Sequence, residues 1–365
     1  MMKKIQILLL GAMLGLTACN DWLDVNPKTS IPTDKQFSSE SGFKDALTGV
    51  YIKMGSATLY GADLSYGYID ELAGIYSGYP GYETSIVFDQ SMVYDYDNKF
   101  KTKKNAIYAD FYNVIANVNN IIAHTESKRE VLVTPRYYET MRGEAFALRA
   151  FLHFDLLRLF GPIYKEEPNA KAIAYRTTYD RVPTPILTAQ AVVEAVLKDL
   201  HEAEDLLKSS DPLDFFTDPY DEGYKSKNGF LINREFRMNL FAVKAMLARV
   251  YCYKGDAESK ALALKYAREV IDANQYFKLI DAQSAANYNS IRYSEQIFGL
   301  SVYELDKLLT ANGMDAEGER SDMHYTTSES HFNEFFETAG VGVTDLRKLP
   351  EMFELTGASD VRAFC

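Results

Sequence analysis

The 365-residue sequence has few of the residues that build disulfide frameworks and metal sites. It contains three cysteines, five histidines and one tryptophan. Three cysteines cannot form the multiple bridges that stabilise small secreted domains. The histidines form no HExxH pair, which is the spacing that places two zinc ligands on one face of a helix. The sequence therefore predicts neither a metal site nor a cofactor site.

Catalytic signatures are also absent. The sequence has no phosphate-cradling glycine loop and no GxSxG elbow. Asp70 and Glu71 are adjacent, and adjacent helical residues do not face each other, so they cannot flank a glycosidic bond. Asp95, Asp97 and Asn98 alternate as at the start of a calcium loop, but the required glycine and distant glutamate are missing. We therefore expect no catalytic residues, and a binding protein rather than an enzyme.

The charge balance excludes one class of partner. The formal net charge is −12 at pH 7. A surface this acidic repels phosphate backbones. Nucleic acid is therefore not an expected partner.

The N-terminus contains a short apolar run that ends at a cysteine. The run from Ile5 to Leu16 follows two lysines and is too short to span a bilayer, which takes about 20 residues. A basic start and an apolar core are typical of a secretory signal. The ending Leu16-Thr17-Ala18-Cys19 resembles a bacterial lipobox, in which cleavage precedes the cysteine and the thiol is acylated. We expect residues 1–18 to be a lipoprotein signal peptide and Cys19 to carry the lipid; an ordinary signal peptide is the alternative.

Helical periodicity recurs through the chain, and strand alternation is scarce. Each amphipathic stripe steps by three or four residues, and Ser-rich or Thr starts can cap the helices. The stretch Tyr137–Phe160 is apolar on nearly every side, which predicts a helix at the centre of a bundle, ended by Gly161-Pro162. The predicted stripes are Phe43, Leu47, Val50 and Met54; Ile107, Phe111, Val114, Val118 and Ile121; and Val192, Val196, Leu200, Ala203 and Leu207 behind Thr188.

Residues 237–274, "RMNLFAVKAMLARVYCYKGDAESKALALKYAREVIDAN", predict two helices joined at Gly255-Asp256. Small alanines on the first helix allow a second helix to approach closely. The pair is similar to a tetratricopeptide unit, and a generic helical hairpin is the alternative. Either interpretation makes the fold class mostly α. The stripe predicted for the first helix consists of Phe241, Ala245, Ala248 and Cys252.

Two irregular segments separate the helices, at residues 76–98 and 209–233. Both combine aromatic residues with glycine, proline and polar residues. Long loops in compact domains are commonly functional, and their aromatic content argues against disorder. Tyrosine offers a flat apolar face and a hydroxyl group, which suit a sugar ligand.

Several ordered motifs resemble the SusD/RagB family of outer-membrane nutrient-binding lipoproteins. They are "CNDWLDVNPKTSIP", "ALTGVY", "RGEAFALRAFLHFDLLRLFGPI" at Arg142–Ile163, "RVPTP", "VLKDLHEAEDLL" and "EQIFGLSVYE". These motifs cover nearly the whole chain. Family members usually run well beyond 365 residues. We therefore expect residues 19–365 to form a SusD-like domain, with an N-terminal part at 19–230 and a later part at 231–365 that is incomplete at its C-terminus.

The resemblance implies a helical scaffold with tetratricopeptide-like helix pairs and long irregular loops on a ligand face. It also implies an anchored, surface-exposed protein that captures oligosaccharide and delivers it to a SusC-like TonB-dependent transporter. Two alternatives stay open. One is a peptide ligand on the same scaffold, and the other is a tetratricopeptide-like envelope adaptor without a nutrient ligand.

Starch-binding relatives hold sugar with aromatic side chains and an asparagine from separate loops. No motif fixes the matching positions in this chain, so composition selects the candidates. We predict ligand contacts at Tyr79, Tyr82, Tyr96 and Asn98 in the first irregular segment, and at Tyr288 and Asn289 in "SAANYNSIRY".

The lipid anchor is testable with one substitution and a matched control. We expect Cys19→Ala to abolish acylation and to release the protein from the membrane fraction, because only a lipidated thiol supplies the buried methylenes. Cys252→Ala removes a different thiol and should leave acylation and membrane association unchanged. Mass spectrometry of the N-terminal peptide measures acylation directly. An unmodified Cys19 in the wild-type protein would refute the prediction.

Overall fold

The computed structural model describes residues 32–73, 98–211, 230–278 and 295–311. Within these ranges the fold is mostly helical, as predicted. The helices are α1 (Thr33–Gln36), α2 (Glu40–Met54), α3 (Tyr68–Leu72), α4 (Asn98–Ser127), α5 (Tyr137–Phe160), α6 (Ala189–Ser210), α7 (Leu240–Lys254), α8 (Ala257–Ile271) and α9 (Leu305–Ala311). Single 3-10 turns lie at Arg129–Val131 and Arg234–Phe236, and the short strands are β1 (Lys171–Ala174) and β2 (Ile186–Thr188).

Helix α5 is the centre of the bundle. It runs from Tyr137 to Phe160, and most of its residues are buried on all sides. The helix ends at Gly161, as the Gly-Pro pair predicted. The central position explains why the sequence of this segment lacks a polar face.

Helices α4 and α6 both pack on α5 in the antiparallel direction. The rings of Tyr108 and Phe160 lie 5.1 Å apart at one end of the α4–α5 pair. At the other end, Arg142 donates to the carbonyl of Ile122 at 3.0 Å. Helix α6 approaches α5 so closely at Gly143 that an added Cβ would lie 2.8 Å from a side-chain carbon of Leu207.

Helices α2, α7 and α8 complete the bundle. Helix α2 runs parallel to α5, and α7 pairs antiparallel with α6 and with α8. The contacts that fix these directions are Lys44–Tyr137 and Tyr51–Glu144 for α2, His201–Tyr251 and Asp211–Leu240 for α6–α7, and Tyr251–Tyr266 and Lys244–Glu269 for α7–α8.

Side-chain caps begin four of the helices. The Ser-rich start predicted for α2 and the Thr188 start predicted for α6 are confirmed, since the hydroxyl groups of Ser39 and Thr188 accept backbone N–H bonds at 3.2 Å. Asn239 begins α7 and Asp256 begins α8 in the same way, at 2.9 Å each. Each cap satisfies a donor that the helix leaves free, which fixes where the helix starts.

The three stripes predicted for α2, α4 and α6 are confirmed, because every residue in them is buried. The stripe predicted for α7 is wrong at three of its four positions, since only Phe241 is buried. Cys252 is exposed and Ala245 and Ala248 are half-buried, whereas the buried face carries Val243, Leu247 and Val250. Alanine has a small side chain that fits either environment, so it did not distinguish the inner face from the outer one.

Helices α7 and α8 form the predicted antiparallel hairpin. Gly255 ends α7 with φ +76°, a left-handed conformation that favours glycine. Asp256 then caps α8, so only two residues join the helices. The turn thereby brings Lys244 of α7 to 2.9 Å from Glu269 of α8.

Strands β1 and β2, which lie between α5 and α6 in the sequence, form an antiparallel pair. They belong to residues 161–188, which leave α5 and return to the start of α6. The hairpin lies against the α4, α5 and α6 side of the bundle, as the contacts of residues 174–178 with Tyr112, Arg149 and Asp199 show. Within the described ranges, no helix combines the length and hydropathy that crossing a membrane requires.

Alanine should destabilise the protein at a glycine with a left-handed backbone and stabilise it at a glycine inside a helix, and this chain offers one position of each kind. Gly255→Ala should lower the free energy of unfolding by about 1 kcal/mol, because a Cβ strains the left-handed backbone. Gly49→Ala is the matched control in the middle of α2, where an added Cβ meets nothing within 4 Å. That substitution should stabilise the protein by about 0.5 to 1 kcal/mol. Urea unfolding measures both, and changes of the same sign would contradict the assigned turn.

Candidate functional site: two buried ion-pair networks that carry the irregular segments

The side chains predicted to contact ligand lie outside the described residues. This holds for Tyr79, Tyr82 and Tyr96, and for Tyr288 and Asn289. Asn98 is the first residue of α4, and only its backbone is described. The lipidation site Cys19 also lies outside the described ranges. The predictions at these positions stay predictions.

The described residues that flank the two irregular segments stand at opposite ends of α5. Before and after the first segment, the rings of Tyr68 and Phe100 pack 5.2 Å apart, near the start of α4. This start lies toward the C-terminal end of α5, because Tyr108 of α4 contacts Phe160. Near the end of the second segment, Phe230 packs 5.2 Å from Tyr137, the first residue of α5. Helix α5 has 24 residues, which corresponds to about 36 Å.

The first buried network is centred on Arg149 of α5. Its guanidinium binds both carboxylate oxygens of Asp199 on α6, with Nε–Oδ2 2.6 Å and Nη2–Oδ1 2.8 Å. The Tyr175 hydroxyl donates to the same carboxylate at 2.5 Å. Burial disfavours the charged guanidinium, but the hydrogen bonds and charge of Asp199 more than offset it and raise the pKa of Arg149. Arg149 is therefore charged inside the protein.

The same network fixes the chain after β1. Asn119 on α4 donates to the carbonyls of Arg176 at 3.0 Å and Thr178 at 3.4 Å, and Arg149 donates to Thr177 at 3.4 Å. Three consecutive carbonyls thus accept hydrogen bonds from side chains of two helices. These contacts satisfy backbone groups that an irregular segment would otherwise leave unpaired.

His153 extends this network in its neutral form. One ring nitrogen, Nδ1, lies 2.8 Å from the Arg149 carbonyl, and the other, Nε2, accepts the Arg176 N–H at 3.0 Å. Protonation of Nε2 would place two hydrogens against each other. Burial, together with the smaller effect of the nearby Arg149 charge, lowers the pKa of His153 to about 3, and the hydrogen bond to the Arg149 carbonyl opposes this shift only in part. The residue is therefore a structural acceptor and not a proton carrier at neutral pH.

The second network is centred on Arg234, which is fully buried. Its Nε donates to Asp211 Oδ1 at 2.6 Å, and its Nη1 donates to Glu144 of α5. Asp211 directly follows α6, and its other oxygen accepts the N–H of Leu240 at 2.6 Å. Arg234 thus links the end of α6, the start of α7 and the central helix. It closes the base of the second irregular segment, between residues 211 and 234.

Further hydrogen bonds join α2 and the chain near residue 297 to the Arg234 network. The Tyr51 hydroxyl donates to Glu144 at 2.8 Å and accepts the N–H of Met238 at 2.9 Å. Burial raises the pKa of Tyr51, and the charge of Glu144 raises it further. Asn239 donates to the Ile297 carbonyl at 2.7 Å. The chain that follows residues 279–294 is therefore held at the same place as the base of the second segment.

Neither network presents a group for acid–base catalysis. The carboxylates of Glu144, Asp199 and Asp211 accept from arginines and tyrosines and are buried. Within the described ranges, no cluster of three or more histidine, cysteine or acidic side chains could hold a metal ion. The Arg149 network holds residues 176–178 on the bundle, and the Arg234 network holds the base of the second irregular segment.

The sequence contained an unused signal for these networks. Glu144, Arg149 and His153 lie among apolar residues on a helix that has no polar face. A buried charge needs a partner of opposite sign, so these residues indicated ion pairs inside the bundle. Their partners lie 50 and 90 residues away, and local periodicity does not identify them.

Residues 21–217 match the family model SusD-like, described as "Starch-binding associating with outer membrane". The match covers more than half of the chain. The chain belongs to the SusD-like family. Its helical scaffold is the one that the motifs of the sequence implied.

Two relatives share part of their sequence with this SusD-like chain. A SusD-like protein of Formosa agariphila is 24% identical over 281 residues, which are 75% of this chain and 46% of the relative. A SusD-like protein of Bacteroides ovatus is 22% identical over 228 residues, or 60% of this chain and 36% of the relative. The chain thus spans less than half the length of these curated relatives.

Solved structures show the same fold. A SusD superfamily protein from Bacteroides thetaiotaomicron has a TM-score of 0.59 at 18% identity, over 82% of this chain and 62% of that one. A SusD-like carbohydrate binding protein from Bacteroides vulgatus has a TM-score of 0.54 at 17% identity, over 72% and 50%. At these identities the likeness establishes the helical scaffold only.

Removing the charge of Asp199 tests the first network. Asp199→Asn keeps the side-chain shape and leaves Arg149 buried without a counter-charge, so the free energy of unfolding should fall by about 3 to 5 kcal/mol. Glu139→Gln makes the same chemical change in an exposed pair, where Arg129 lies 3.9 Å away, and should cost less than about 1 kcal/mol. Urea unfolding of both variants measures the difference. Equal losses of unfolding free energy in the two variants would show that the buried Arg149–Asp199 pair stabilises the protein no more than the exposed pair does.

The neutral state of His153 predicts a pH dependence. Between the ordinary histidine pKa of 6.5 and the folded value of about 3, the unfolded chain binds the proton and the folded protein does not. Stability is therefore lost as pH falls below 6.5, by about 2 kcal/mol at pH 5. The His153→Gln variant has no side chain at this position that binds a proton in this pH range. Between pH 7.5 and pH 5 its unfolding free energy should therefore fall by about 2 kcal/mol less than that of the wild type. Identical pH slopes would refute the assignment.

Proposed function

We propose that this chain is part of an outer-membrane lipoprotein that binds oligosaccharide and delivers it to a TonB-dependent transporter. The family match carries the proposal, since the matched family is described as starch-binding and associated with the outer membrane. The protein holds its ligand without bond-breaking chemistry. It is attached to the outer membrane through the lipid on Cys19 and faces the cell exterior.

Two features of the described residues support a binding role. The charged groups inside the bundle are occupied by one another, so they serve to hold the scaffold. The Arg234 network closes the segment between residues 211 and 234 and holds the chain after residues 279–294, and both stretches of sequence contain tyrosine and asparagine. Tyrosine faces pack on the C–H surfaces of a sugar, and amide groups bind its hydroxyls.

Affinity electrophoresis in gels that contain a polysaccharide tests the proposal. The purified protein should be retarded by at least one glycan. Single alanine substitutions of the predicted contacts should weaken binding roughly tenfold, or about 1.4 kcal/mol. The matched control is Tyr303→Ala, which removes an exposed tyrosine elsewhere on the chain and should leave the retardation unchanged. The variants to compare are Tyr79→Ala, Tyr82→Ala, Tyr96→Ala, Asn98→Ala, Tyr288→Ala and Asn289→Ala.

Three outcomes would contradict the proposal. Binding of peptides with no retardation on any glycan would replace the sugar with a peptide ligand. Co-purification with envelope proteins but with neither a ligand nor a barrel transporter would favour an adaptor. Release of reducing sugar by the purified protein would indicate an enzyme.

A further inference from the structure

Two arginines share one carboxylate near the C-terminal end of α5. Arg158 of α5 lies 3.5 Å from Oδ1 of Asp155, and Arg249 of α7 lies 3.3 Å from the same oxygen. The other oxygen of Asp155 accepts the hydroxyl of Tyr60 at 2.9 Å. We call Asp155, Arg158 and Arg249 the paired-arginine cluster.

The cluster carries an excess of one positive charge. Among the residues that the structure describes, neither arginine has a second ion-pair partner. Both contacts are long compared with the 2.7 to 2.9 Å that is typical of about the strongest charged hydrogen bonds. Because both guanidinium groups approach one oxygen atom, they lie close together, and like charges at short range repel each other. An anionic group bound to both arginines would balance the charge.

Both guanidinium groups are accessible from solution. The side chains of Arg158 and Arg249 are 42% and 41% exposed, whereas that of Asp155 is 13% exposed. Both groups also lie over the ring of Phe154, at 6.0 and 5.3 Å from its centroid, which restricts their positions. A guanidinium group has several N–H donors in a planar fork that matches the oxygens of an anionic group. The cluster therefore has donors left for a ligand, unlike the two buried networks.

Aromatic rings continue from the cluster along the bundle. The ring of Tyr60 lies 5.4 Å from that of Phe151, and Phe151 lies 6.4 Å from Phe298. All three side chains are half-buried, so part of each remains accessible. Aromatic faces pack on the apolar C–H surfaces of sugars. Rings beside two cations thus suit a sugar that carries an acidic group.

The cluster also lies at the end of the bundle that leads to the predicted ligand contacts. Phe298 follows residues 279–294, which contain Tyr288 and Asn289. Helix α4, whose first residue is Asn98, starts toward the same end of α5 as the cluster. The described chain next to both sets of predicted contacts therefore approaches this end of α5.

We propose that the paired-arginine cluster binds an acidic group of the oligosaccharide, so that the ligand is a glycan with carboxylate or sulfate groups. The inference rests on the proposed function, because it names the substrate class of that binding protein. A protein of net charge −12 repels an anionic glycan over most of its surface. A local pair of cations supplies the attraction that such a ligand needs. Binding should weaken as the salt concentration rises, because exposed charges are screened.

Comparison of charged and neutralised glycans tests the substrate class. The full wild-type chain is run in affinity gels that contain polygalacturonate, alginate, carrageenan, fucoidan or starch. At least one acidic glycan should retard the protein, and its neutralised form should bind at least tenfold more weakly. Methyl esterification neutralises the carboxylates and desulfation removes the sulfates, so the two treatments distinguish the two acidic groups.

Arginine variants test the location of the site. Arg158→Gln and Arg249→Gln each leave Asp155 with one arginine partner, so the fold should be retained, and urea unfolding checks this. Each variant should bind the acidic glycan at least tenfold more weakly than wild type. The matched control Arg268→Gln makes the same change at an exposed position on α8 and should bind within twofold of wild type. The comparison of glycans uses the wild-type protein and decides the substrate class even where a variant fails to fold.

The outcomes separate this inference from the proposed function. Equal binding of an acidic glycan and its neutralised form, or retardation by starch alone, would overturn the inference and leave the proposed function standing. Unchanged binding of the acidic glycan by both arginine variants would overturn the assignment of the cluster. A protein that no glycan retards would refute the proposed function itself.

Discussion

Burial of two arginines beside carboxylates, around the central helix α5, is the interaction on which the rest of the structure depends. Arg149 on α5 binds Asp199, and Arg234 binds Glu144 of α5 together with Asp211. Taking these charges out of water costs several kcal/mol for each ion, and only close, hydrogen-bonded partners offset that cost. The requirement fixes one arrangement of the helices, because any other arrangement would leave a buried charge unpaired.

The two networks also explain how a helical bundle carries long irregular segments. Irregular backbone has carbonyl and N–H groups that need partners. The Arg149 network satisfies the carbonyls after β1, and the Arg234 network joins the base of the second segment to the chain near Ile297. The scaffold and the surface loops are therefore coupled through polar groups, whereas the helices themselves pack through apolar stripes. A substitution in either network is therefore expected to disturb the structure of the loops as well as that of the core.

Membership of the SusD-like family sets the scaffold and leaves the ligand open. The solved structures share the fold at 17 to 18% identity. At that distance a helical framework persists because many apolar sequences fill the same core. Loop side chains follow no such constraint, so the shared fold does not identify a ligand. Function must therefore be argued from the loops of this chain and tested there.

The sequence alone determined the mostly helical class, the positions of α2, α4, α5 and α6, and the caps at Ser39 and Thr188, because periodicity and capping are local properties. It misplaced the inner face of α7, since alanine and cysteine fit both core and surface. The pairing of Arg149 with Asp199 and of Arg234 with Glu144 was decided only by the tertiary structure. Those partners lie 50 and 90 residues apart, and only the packing of whole helices brings their charges within hydrogen-bonding distance.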